Sequence, residues 1–344
     1  MGKILVTGGT GYIGSHTVVE LQQQGYEVLI ADNLSNSRIE VLGNIAAITG
    51  VFPEFEHIDL TDEAKTLEFF ERHSDLDGVI HFAAFKAVGE SCANPLMYYH
   101  NNLFSLVNVL EGMKRSGIRN LVFSSSCTVY GQPDELPVTE KAAVQKAWSP
   151  YGNTKQMCED ILGFSVGITG VKAIALRYFN PIGAHDSAMI GELPIGTPNN
   201  LMPFITQTAV GIRESLKVFG GDYDTVDGTA VRDYIHVVDI AKAHVVAVER
   251  MIGDKGKSDL EVFNLGTGNG FSVLEVIRSF EKMSGEKLNY SIVDRRPGDV
   301  EKVWADTRFA NEELGWKAER SLDDMTLSAW KWELKLKANV LEAI

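Results

Sequence analysis

Short apolar segments alternate with longer amphipathic segments along the first two thirds of the chain. The apolar segments are rich in Val, Ile and Phe and end in small or polar residues, as buried strands do. They predict strands at Ile4–Thr7, Glu27–Asp32, Gly78–Ala83, Asn120–Ser125 and Lys172–Arg177. The segments between them predict helices at Ser15–Gln24, Glu63–His73, Asn101–Ser116 and Pro150–Phe164. This alternation predicts an α/β fold with a doubly wound parallel sheet of Rossmann type.

The pattern loosens after about residue 181, where Gly, Pro and Asn become frequent. Three helices and one strand are predicted among the longer loops, at Leu201–Ser215, Ser272–Ser284, Ser321–Leu336 and Val262–Leu265. We expect a smaller α/β substrate-binding lobe here. The predicted division is residues 1–180 plus roughly 237–266 for the first domain, and 181–236 plus roughly 267–344 for the second.

A glycine cluster separates the first predicted strand from the first predicted helix, with Gly8, Gly11 and Gly14 at three-residue spacing. Such glycines allow a sharp turn and bring backbone N–H groups close to a pyrophosphate at the helix start. The second strand ends in Asp32, whose carboxylate suits an adenosine ribose diol and repels a 2′-phosphate. The pattern predicts an NAD site. The alternative is that the glycines only make a tight turn and Asp32 merely ends a strand.

Tyr151 and Lys155 are four residues apart in a helix that Ser149 and Pro150 are suited to start. They therefore share a helical face. A lysine ammonium about 4 Å away favours a phenolate by up to roughly 4 kcal/mol, so we expect Lys155 to lower the Tyr151 pKa. The pair predicts a phenolic base for an alcohol proton. By itself the motif is common, and many instances are solvated helix faces.

A run of serines, Ser124-Ser125-Ser126, follows a central predicted strand. Its hydroxyls should emerge at the carboxyl edge of the sheet, where ligands bind in such folds. One of these serines can hydrogen-bond the reacting oxygen. The alternative is that these hydroxyls only cap and support a turn.

Composition and charge narrow the classes of partner. The chain has 344 residues, and 32 Lys+Arg against 46 Asp+Glu give a net charge of −14, which argues against nucleic acids and anionic membranes as partners. The three cysteines, without a CxxC pair, suit a reducing compartment, and no signal or membrane-spanning segment is evident. We expect a cytoplasmic protein.

Several other features favour structural interpretations. No His, Asp or Glu group has metal-ligand spacing, so no metal is expected. His81 lies within an apolar strand and is interpreted as a core histidine. A second glycine cluster, residues 266–270, is followed by Phe271 where a third glycine would fall, and is interpreted as a loop and helix cap.

The motifs together resemble those of the extended short-chain dehydrogenase/reductase family, from residue 1 to about 335. The segments concerned are residues 8–14, 32–34, 124–131, 149–155 and 177–181, while residues 198–203 and 231–237 are similar to those of UDP-glucose 4-epimerases. The resemblance implies an isomerase that interconverts UDP-galactose and UDP-glucose. It implies transient NAD-dependent oxidation at C4, rotation of the 4-keto sugar and return of the hydride.

The resemblance also implies roles for individual residues. Tyr151 would be the base, Lys155 its tuning partner and Ser126 a contact to the sugar oxygen. The expected NAD-binding residues are Gly8, Gly11, Tyr12, Ile13, Gly14, Asp32, Asn33, Asn36, Ser37, Asp59, Leu60, Phe82, Ala83, Ala84, Lys86, Asn101, Ser126, Tyr151, Lys155 and Phe179. The expected substrate-binding residues are Ser126, Tyr151, Asn180, Asn200, Arg232, Arg295, Arg296 and Asp299. A homodimer is expected through the helices at Asn101–Ser116 and after Ser149.

Two alternatives remain at this point. Val303 stands where relatives often carry Tyr or Cys against the 2-substituent of the sugar, so room for an N-acetyl group predicts UDP-N-acetylhexosamine or another nucleotide sugar as a substrate. A non-catalytic NAD-binding regulator would keep the glycines, whereas it would not need Tyr151 and Lys155. Dehydration is disfavoured, because residues 126–129 contain no carboxylate.

Overall fold

A seven-stranded sheet forms the centre of the computed structural model, which describes residues 2–296 and 300–342. In chain order the strands are β1 Lys3–Thr7, β2 Glu27–Asp32, β3 Glu54–His57, β4 Gly78–His81, β5 Asn120–Ser126, β6 Lys172–Tyr178, β7 Asn180–Ile182, β8 Leu216–Phe219, β9 Val231–Arg232, β10 Tyr234–His236, β11 Leu260–Leu265, β12 Phe271–Ser272, β13 Tyr290–Val293 and β14 Lys302–Val303. The central sheet has the order β11-β6-β5-β4-β1-β2-β3, and all its pairs are parallel. The predicted α/β class is confirmed.

Helices cover both faces of this sheet. In chain order they are α1 Tyr12–Gln23, α2 Val41–Thr49, α3 Glu63–Arg72, α4 Val88–Ala93, α5 Pro95–Ser116, α6 Pro150–Ser165, α7 Leu201–Ala209, α8 Val237–Ile252, α9 Val273–Ser284 and α10 Leu322–Glu342. A 3₁₀ turn at Cys127–Tyr130 and a π-helical turn at Ala310–Leu314 are also present. Helices α1, α2 and α8 pack on one face and α3, α5 and α6 on the other.

Successive side chains of β1 pack on opposite faces of the sheet, and helices cover both faces. Ile4 and Val6 pack in the core that includes α1 and α8, whereas Leu5 packs with the residues of α3, α5 and α6. All three side chains are fully buried. Because both faces are apolar, the strands read as continuous hydrophobic runs, which is typical of parallel sheets.

The structure differs from the predictions mainly at element ends. The first helix begins at Tyr12 rather than Ser15, and α7 ends at Ala209, shortly before the left-handed Gly211, rather than at Ser215. The edge strand β3 and helix α2 were not predicted. β3 contains two glutamates and a histidine and is only partly buried, so it lacks the apolar pattern of a central strand.

The second half of the chain builds a smaller layer beside the carboxyl edge of the sheet. Helices α7, α9 and α10 share an apolar core with β8 and β10 that includes Ile205, Phe280 and Trp330. Small sheets pair β10 with β7, β13 with β8, and β9 with both β12 and β14. The division of the chain into two domains stays a prediction. No helix in the described ranges combines the length and apolar character needed to cross a membrane.

Candidate active site

One large cavity lies at the carboxyl edge of the central sheet, between the sheet and the smaller layer. Its volume is about 1820 Å³, and a pocket for a single small ligand is usually about 300–1,000 Å³. The predicted residues that line it are Gly8, Gly11, Tyr12, Ile13, Gly14, Asp32, Asn33, Asn36, Ser37, Asp59, Leu60, Phe82, Ala83, Ala84, Lys86, Asn101, Ser126, Tyr151, Lys155, Phe179, Asn180, Asn200, Arg232 and Arg296. The cavity is large enough for two ligands side by side.

The glycine turn between β1 and α1 has no room for side chains at Gly8 and Gly14. A Cβ atom on Gly14 would lie 2.3 Å from the carbonyl oxygen of Gly8. Gly8 has a left-handed backbone, with φ of 69°, and a Cβ there would lie 2.9 Å from the backbone nitrogen of Ala83. The bare backbone at the start of α1 therefore forms a surface that a diphosphate can approach closely. These residues fit a dinucleotide.

Asp32, at the end of β2, organises the turn opposite these glycines. Thr10 donates its backbone N–H and its hydroxyl to Oδ2 of Asp32, at 3.2 and 2.6 Å. Leu34 donates its N–H and Ser37 its hydroxyl to Oδ1, at 2.9 and 3.3 Å. The nearly buried carboxylate is thus fixed at the cavity wall, in a position that fits an adenosine ribose diol and not a 2′-phosphate.

Ser126, Tyr151 and Lys155 meet where β5 ends and α6 begins. Ser149 caps α6 by accepting the Gly152 N–H at 3.1 Å, and Tyr151 lies in the first turn of the helix. One turn later, Lys155 is almost fully buried and donates from Nζ to the Ser124 carbonyl oxygen at 2.6 Å. Ser126 accepts the Thr128 N–H at 3.3 Å and also hydrogen-bonds the Tyr151 hydroxyl.

Burial sets the pKa values of this group. It raises the pKa of Tyr151 above the usual range, and the hydrogen bond with Ser126 only partly opposes this. The expectation that Lys155 lowers the Tyr151 pKa is therefore wrong for the protein without bound ligands. Burial also lowers the pKa of Lys155 to about 8, and the ammonium lies beside the Phe123 ring, 4.9 Å from its centroid. Desolvation dominates both pKa values because both groups are removed from water, and Lys155 is not among the principal causes of the Tyr151 shift.

Thr128 supplies a second sign that the cavity is built for a polar ligand. Its Oγ1 is buried and has no hydrogen-bond partner within the described part of the chain. Thr128 lines the same cavity as Ser126 and Tyr151. Buried hydroxyls are nearly always satisfied, so this one fits a ligand hydroxyl or carbonyl. Burial raises the pKa of the neighbouring Cys127 thiol to about 12, which favours its protonated form at neutral pH.

The substrate side of the cavity contains Asn180, Asn200, Arg232 and Arg296. Asn180 begins β7 and is held through its N–H by the Asp233 carbonyl oxygen at 2.9 Å. Arg232 donates to the Val231 carbonyl oxygen at 2.8 Å, and the Arg296 guanidinium lies 5.6 Å from the centroid of the Phe219 ring. Two cations and two amides thus surround the half of the cavity opposite the glycine turn.

Two predicted substrate residues are not placed there. Arg295 does not line the cavity; its Nε donates to Asp222 at 2.7 Å, and its guanidinium stacks 4.0 Å from the centroid of the Tyr223 ring. Its neighbour Arg296 does line the cavity. Asp299 lies outside the described residues.

The second glycine cluster, residues 266–270, binds the carboxylate of Asp233 through backbone N–H groups. Asp233 is fully buried and accepts the N–H groups of Thr267, Gly268 and Ala305 at 2.8, 3.1 and 3.1 Å. A Cβ on Gly266 would lie 2.3 Å from Oδ2 of Asp233. The cluster therefore fixes β9 beside β14, which places Arg232 and Val303 in register. It is a loop, as predicted.

His81 is a core histidine, as predicted. Its Nδ1 is hydrogen-bonded to Thr7 Oγ1 at 2.9 Å, and burial lowers its pKa to about 3. Within residues 2–296 and 300–342, no three His, Cys, Asp or Glu side chains are grouped as metal ligands.

Among the cavity residues that the sequence patterns did not predict are Trp148, Glu192 and Trp332. Trp148 is 61% exposed at the cavity wall, directly before the helix cap Ser149. Glu192 and Trp332 lie in a loop and in α10, far apart in sequence. No local motif marks Glu192 or Trp332, since only packing of α10 on the loop brings them to the site. The position of Trp148 next to the helix start was the one available signal.

Comparison with known proteins agrees with this geometry. A family model described as NAD dependent epimerase/dehydratase family matches residues 4–266. A curated UDP-glucose 4-epimerase of Bacillus subtilis is 51% identical over 331 residues, covering 96% of each chain. The family match confirms the predicted NAD dependence.

Solved structures are equally similar. A UDP-glucose 4-epimerase from Stenotrophomonas maltophila, with bound NAD and formylated UDP-arabinopyranose, has a TM-score of 0.94 and 47% identity, covering 98% of this chain and 100% of that one. The enzyme from Bifidobacterium longum, in complex with NAD+ and UDP, has a TM-score of 0.90 and 45% identity, covering 97% and 98%. The chain belongs to the NAD dependent epimerase/dehydratase family.

Proposed function

We propose that this chain is an isomerase that interconverts UDP-galactose and UDP-glucose, with NAD as a resident cofactor. The observation that carries the proposal is the position of Ser126, Tyr151 and Lys155 in one cavity with the glycine turn. The relatives named above are UDP-glucose 4-epimerases, and two of their structures contain NAD together with UDP or a UDP-sugar. A shared cavity lets one alcohol carbon meet both the base and the cofactor.

In this proposal Tyr151 takes the proton from the 4-hydroxyl of the hexose and later returns it. Bound NAD supplies the reversible hydride acceptor for C4. Ser126 hydrogen-bonds the reacting oxygen and orients it toward Tyr151. Because burial alone raises the Tyr151 pKa, the phenolate depends on positive charge nearby, which Lys155 and the cationic cofactor supply.

The cofactor residues follow from the shape of the cavity. The backbone of the glycine turn would hold the diphosphate, Asp32 the adenosine ribose, and Lys155 the nicotinamide ribose. Residues that follow β2, β3 and β4, together with Asn101 and Phe179, would enclose the rest of the dinucleotide.

Arg232 and Arg296 would hold the diphosphate of the sugar nucleotide, since a planar guanidinium matches phosphate oxygens. Asn180 and Asn200 would donate or accept hydrogen bonds beside them. Local cations thus allow a chain of net charge −14 to bind two anionic ligands. The same charge supports the proposal that nucleic acids and anionic membranes are not partners.

The decisive experiment incubates the purified protein with UDP-galactose without added NAD. We expect UDP-glucose to form without net reduction of NAD, and bound NAD to be released on denaturation. Tyr151→Phe should lower the rate by about 10²- to 10⁴-fold. Tyr99→Phe is the matched control, because Tyr99 bonds Asn153 on α6 outside the cavity lining.

Other outcomes would overturn the proposal. Reduced NAD that accumulates in proportion to substrate would indicate a dehydrogenase. Bound NAD without turnover of any UDP-hexose would indicate a regulator. A normal rate for Tyr151→Phe would assign the base to another residue.

We also propose a homodimer through α5 and α6. Both helices expose apolar side chains on neighbouring surfaces, notably Phe104 (53% exposed) and Val107 on α5 and Met157 and Phe164 (82% exposed) on α6. An isologous pair of such two-helix faces would bury this patch in a four-helix arrangement.

Light scattering after size exclusion would test the dimer. Phe104→Glu should yield monomers, because a buried unpaired carboxylate opposes association. Phe52→Glu is the control: Phe52 is also largely exposed, in the loop before β3. A wild-type monomer, or a Phe104→Glu dimer of unchanged affinity, would contradict the proposal.

A cytoplasmic location is supported by the cysteines. Cys92 is exposed, and it, Cys127 and Cys158 are all free thiols. Exposed free thiols persist in reducing compartments. Cell fractionation with an antibody against the protein would test this, and recovery outside the cytoplasm would contradict it.

A further inference from the structure

Glu192 joins a residue of the cofactor side to a residue of the substrate side. Its Oε1 accepts hydrogen bonds from Lys86 Nζ at 3.2 Å and from Asn200 Nδ2 at 2.5 Å. Its other oxygen, Oε2, is buried and has no partner among the described residues. The side chain is only 12% exposed. One nearly buried carboxylate oxygen therefore serves two donors, one from each half of the cavity.

The backbone of Glu192 is held in place by α10. Trp332 donates its indole N–H to the Glu192 carbonyl oxygen at 3.0 Å. A Cβ on the preceding Gly191 would lie 2.5 Å from Cδ1 of Trp332, so the loop packs directly on the indole. Any rearrangement here must therefore involve side chains.

Glu192 also decides how Asn200 is oriented. Asn200 is the N-cap of α7, a position where asparagine normally bonds a helix N–H, yet it makes no side-chain cap bond here. An ionised carboxylate only accepts hydrogen bonds, so the amide nitrogen must face Glu192. The side-chain carbonyl oxygen of Asn200 then points away from Glu192.

On the other side, Lys86 connects Glu192 to the glycine turn. Its ammonium lies 5.7 Å from the ring centroid of Tyr12, the first residue of α1. The Tyr12 hydroxyl donates to the Gly183 carbonyl oxygen at 2.6 Å. Tyr12, Lys86, Glu192 and Asn200 thus form a continuous set of contacts from the cofactor side to the substrate side.

We propose that Glu192 is a positioning residue that couples the two ligand sites, so that NAD and the UDP nucleotide bind cooperatively. Because Lys86 and Asn200 donate to the same Glu192 oxygen, a ligand that fixes one of these side chains would also fix the other through the carboxylate. The second ligand would then lose less side-chain freedom on binding. Linkage requires the converse, that UDP strengthens NAD binding by the same factor. The inference rests on the proposed function, because it takes these two ligands as given.

The test measures the NAD dissociation constant of the holoenzyme by equilibrium dialysis, with and without saturating UDP. In the wild type we expect UDP to tighten NAD binding by about 5- to 150-fold. In Glu192→Gln, which keeps the size of the side chain, the two constants should agree within about twofold. Glu90→Gln is the matched control, since Glu90 also lines the cavity but accepts a hydrogen bond from Tyr98 instead of bridging Lys86 and Asn200. Its coupling should match the wild type.

A second variant keeps the inference testable if Glu192→Gln does not fold. Lys86→Gln removes the other end of the bridge at a side chain that is 43% exposed. Its coupling should also be lost, and the double variant Lys86→Gln/Glu192→Gln should lose no more than either single variant. Coupling that survives in Glu192→Gln, or in Lys86→Gln, would overturn the inference. If the wild type binds both ligands without coupling, only this inference fails, whereas failure to bind NAD or UDP would overturn the proposed function.

Discussion

Arg177 and Glu159 form a buried two-point ion pair beside the proposed catalytic residues Ser126 and Lys155. Nε of Arg177 lies 2.9 Å from Oε1 of Glu159, and Nη2 lies 2.5 Å from Oε2. The same carboxylate accepts the Ser125 hydroxyl, next to Ser126, and lies one turn beyond Lys155 on α6. The pair therefore fixes the end of β5 against α6, the helix that contains the proposed base Tyr151.

Removal of the arginine should be costly. Arg177→Ala would leave the Glu159 carboxylate buried without a counterion, so we expect the free energy of unfolding to fall by about 3–5 kcal/mol. Urea denaturation would measure this. Arg115→Ala, which breaks the exposed pair with Glu111, should cost no more than about 0.5 kcal/mol. Equal effects of the two variants would show that the buried pair is not structural.

Lys155 should lower stability at neutral pH. Burial lowers its folded-state pKa from 10.5 to about 8, so the unfolded chain binds more protons between those values and stability rises with pH. Below pH 8 the full penalty applies, about 3 kcal/mol at 1.36 kcal/mol per pH unit. Lys155→Met should therefore be more stable than the wild type at pH 7 while losing activity.

Denaturation at two pH values would check this. The gain from Lys155→Met should shrink between pH 8 and 10.5, whereas Lys331→Met, at an exposed position of α10, should show no such trend. A gain that is independent of pH would contradict the burial argument.

Gly14→Ala should weaken NAD binding. The added methyl would lie 2.3 Å from the Gly8 carbonyl oxygen and would displace the turn that meets the diphosphate. Since misplacement by about 1 Å can cost about 100-fold, we expect the NAD dissociation constant to rise about 10- to 100-fold. Gly43→Ala in α2 meets nothing within 4 Å and should leave NAD binding unchanged while it stabilises the helix. Unchanged NAD binding in Gly14→Ala would refute a diphosphate site there.

Val303 should govern the size of the sugar 2-substituent. It lines the cavity and packs with Val129, Tyr130 and Phe179, so a larger side chain at this position would fill the cavity wall. We expect the wild type to turn over UDP-N-acetylglucosamine as well as UDP-galactose. Val303→Tyr should reduce the first activity about 10- to 100-fold more than the second.

Val303→Ala provides the matched control, because it leaves the space open and should retain both activities. The ratio of kcat/KM for the two substrates is the measurement. Wild-type protein that acts on UDP-galactose but not on the N-acetylated sugar would contradict the expectation.

Local sequence patterns were sufficient to predict the cofactor half of the site. Each of these features lies within a single loop or helical turn, namely the glycine turn, Asp32 and the pair Tyr151 and Lys155. Sequence spacing therefore determines the positions of the residues within each feature. The parallel sheet then brings the ends of β1, β2 and β5 to one edge, which follows from the alternation of strands and helices. For these residues, local spacing and the regular order of strands and helices were sufficient for the prediction.

The sequence by itself therefore determined the fold class and the glycine turn and predicted the catalytic residue types, because these depend on periodicity and on contacts between near neighbours. Only the tertiary structure decided that Arg296 and not Arg295 faces the cavity, and that Asp233 occupies the second glycine cluster. It alone raised the Tyr151 pKa and joined Lys86 to Asn200 through Glu192. These features depend on desolvation and on contacts between distant segments, and both arise only when the chain is packed.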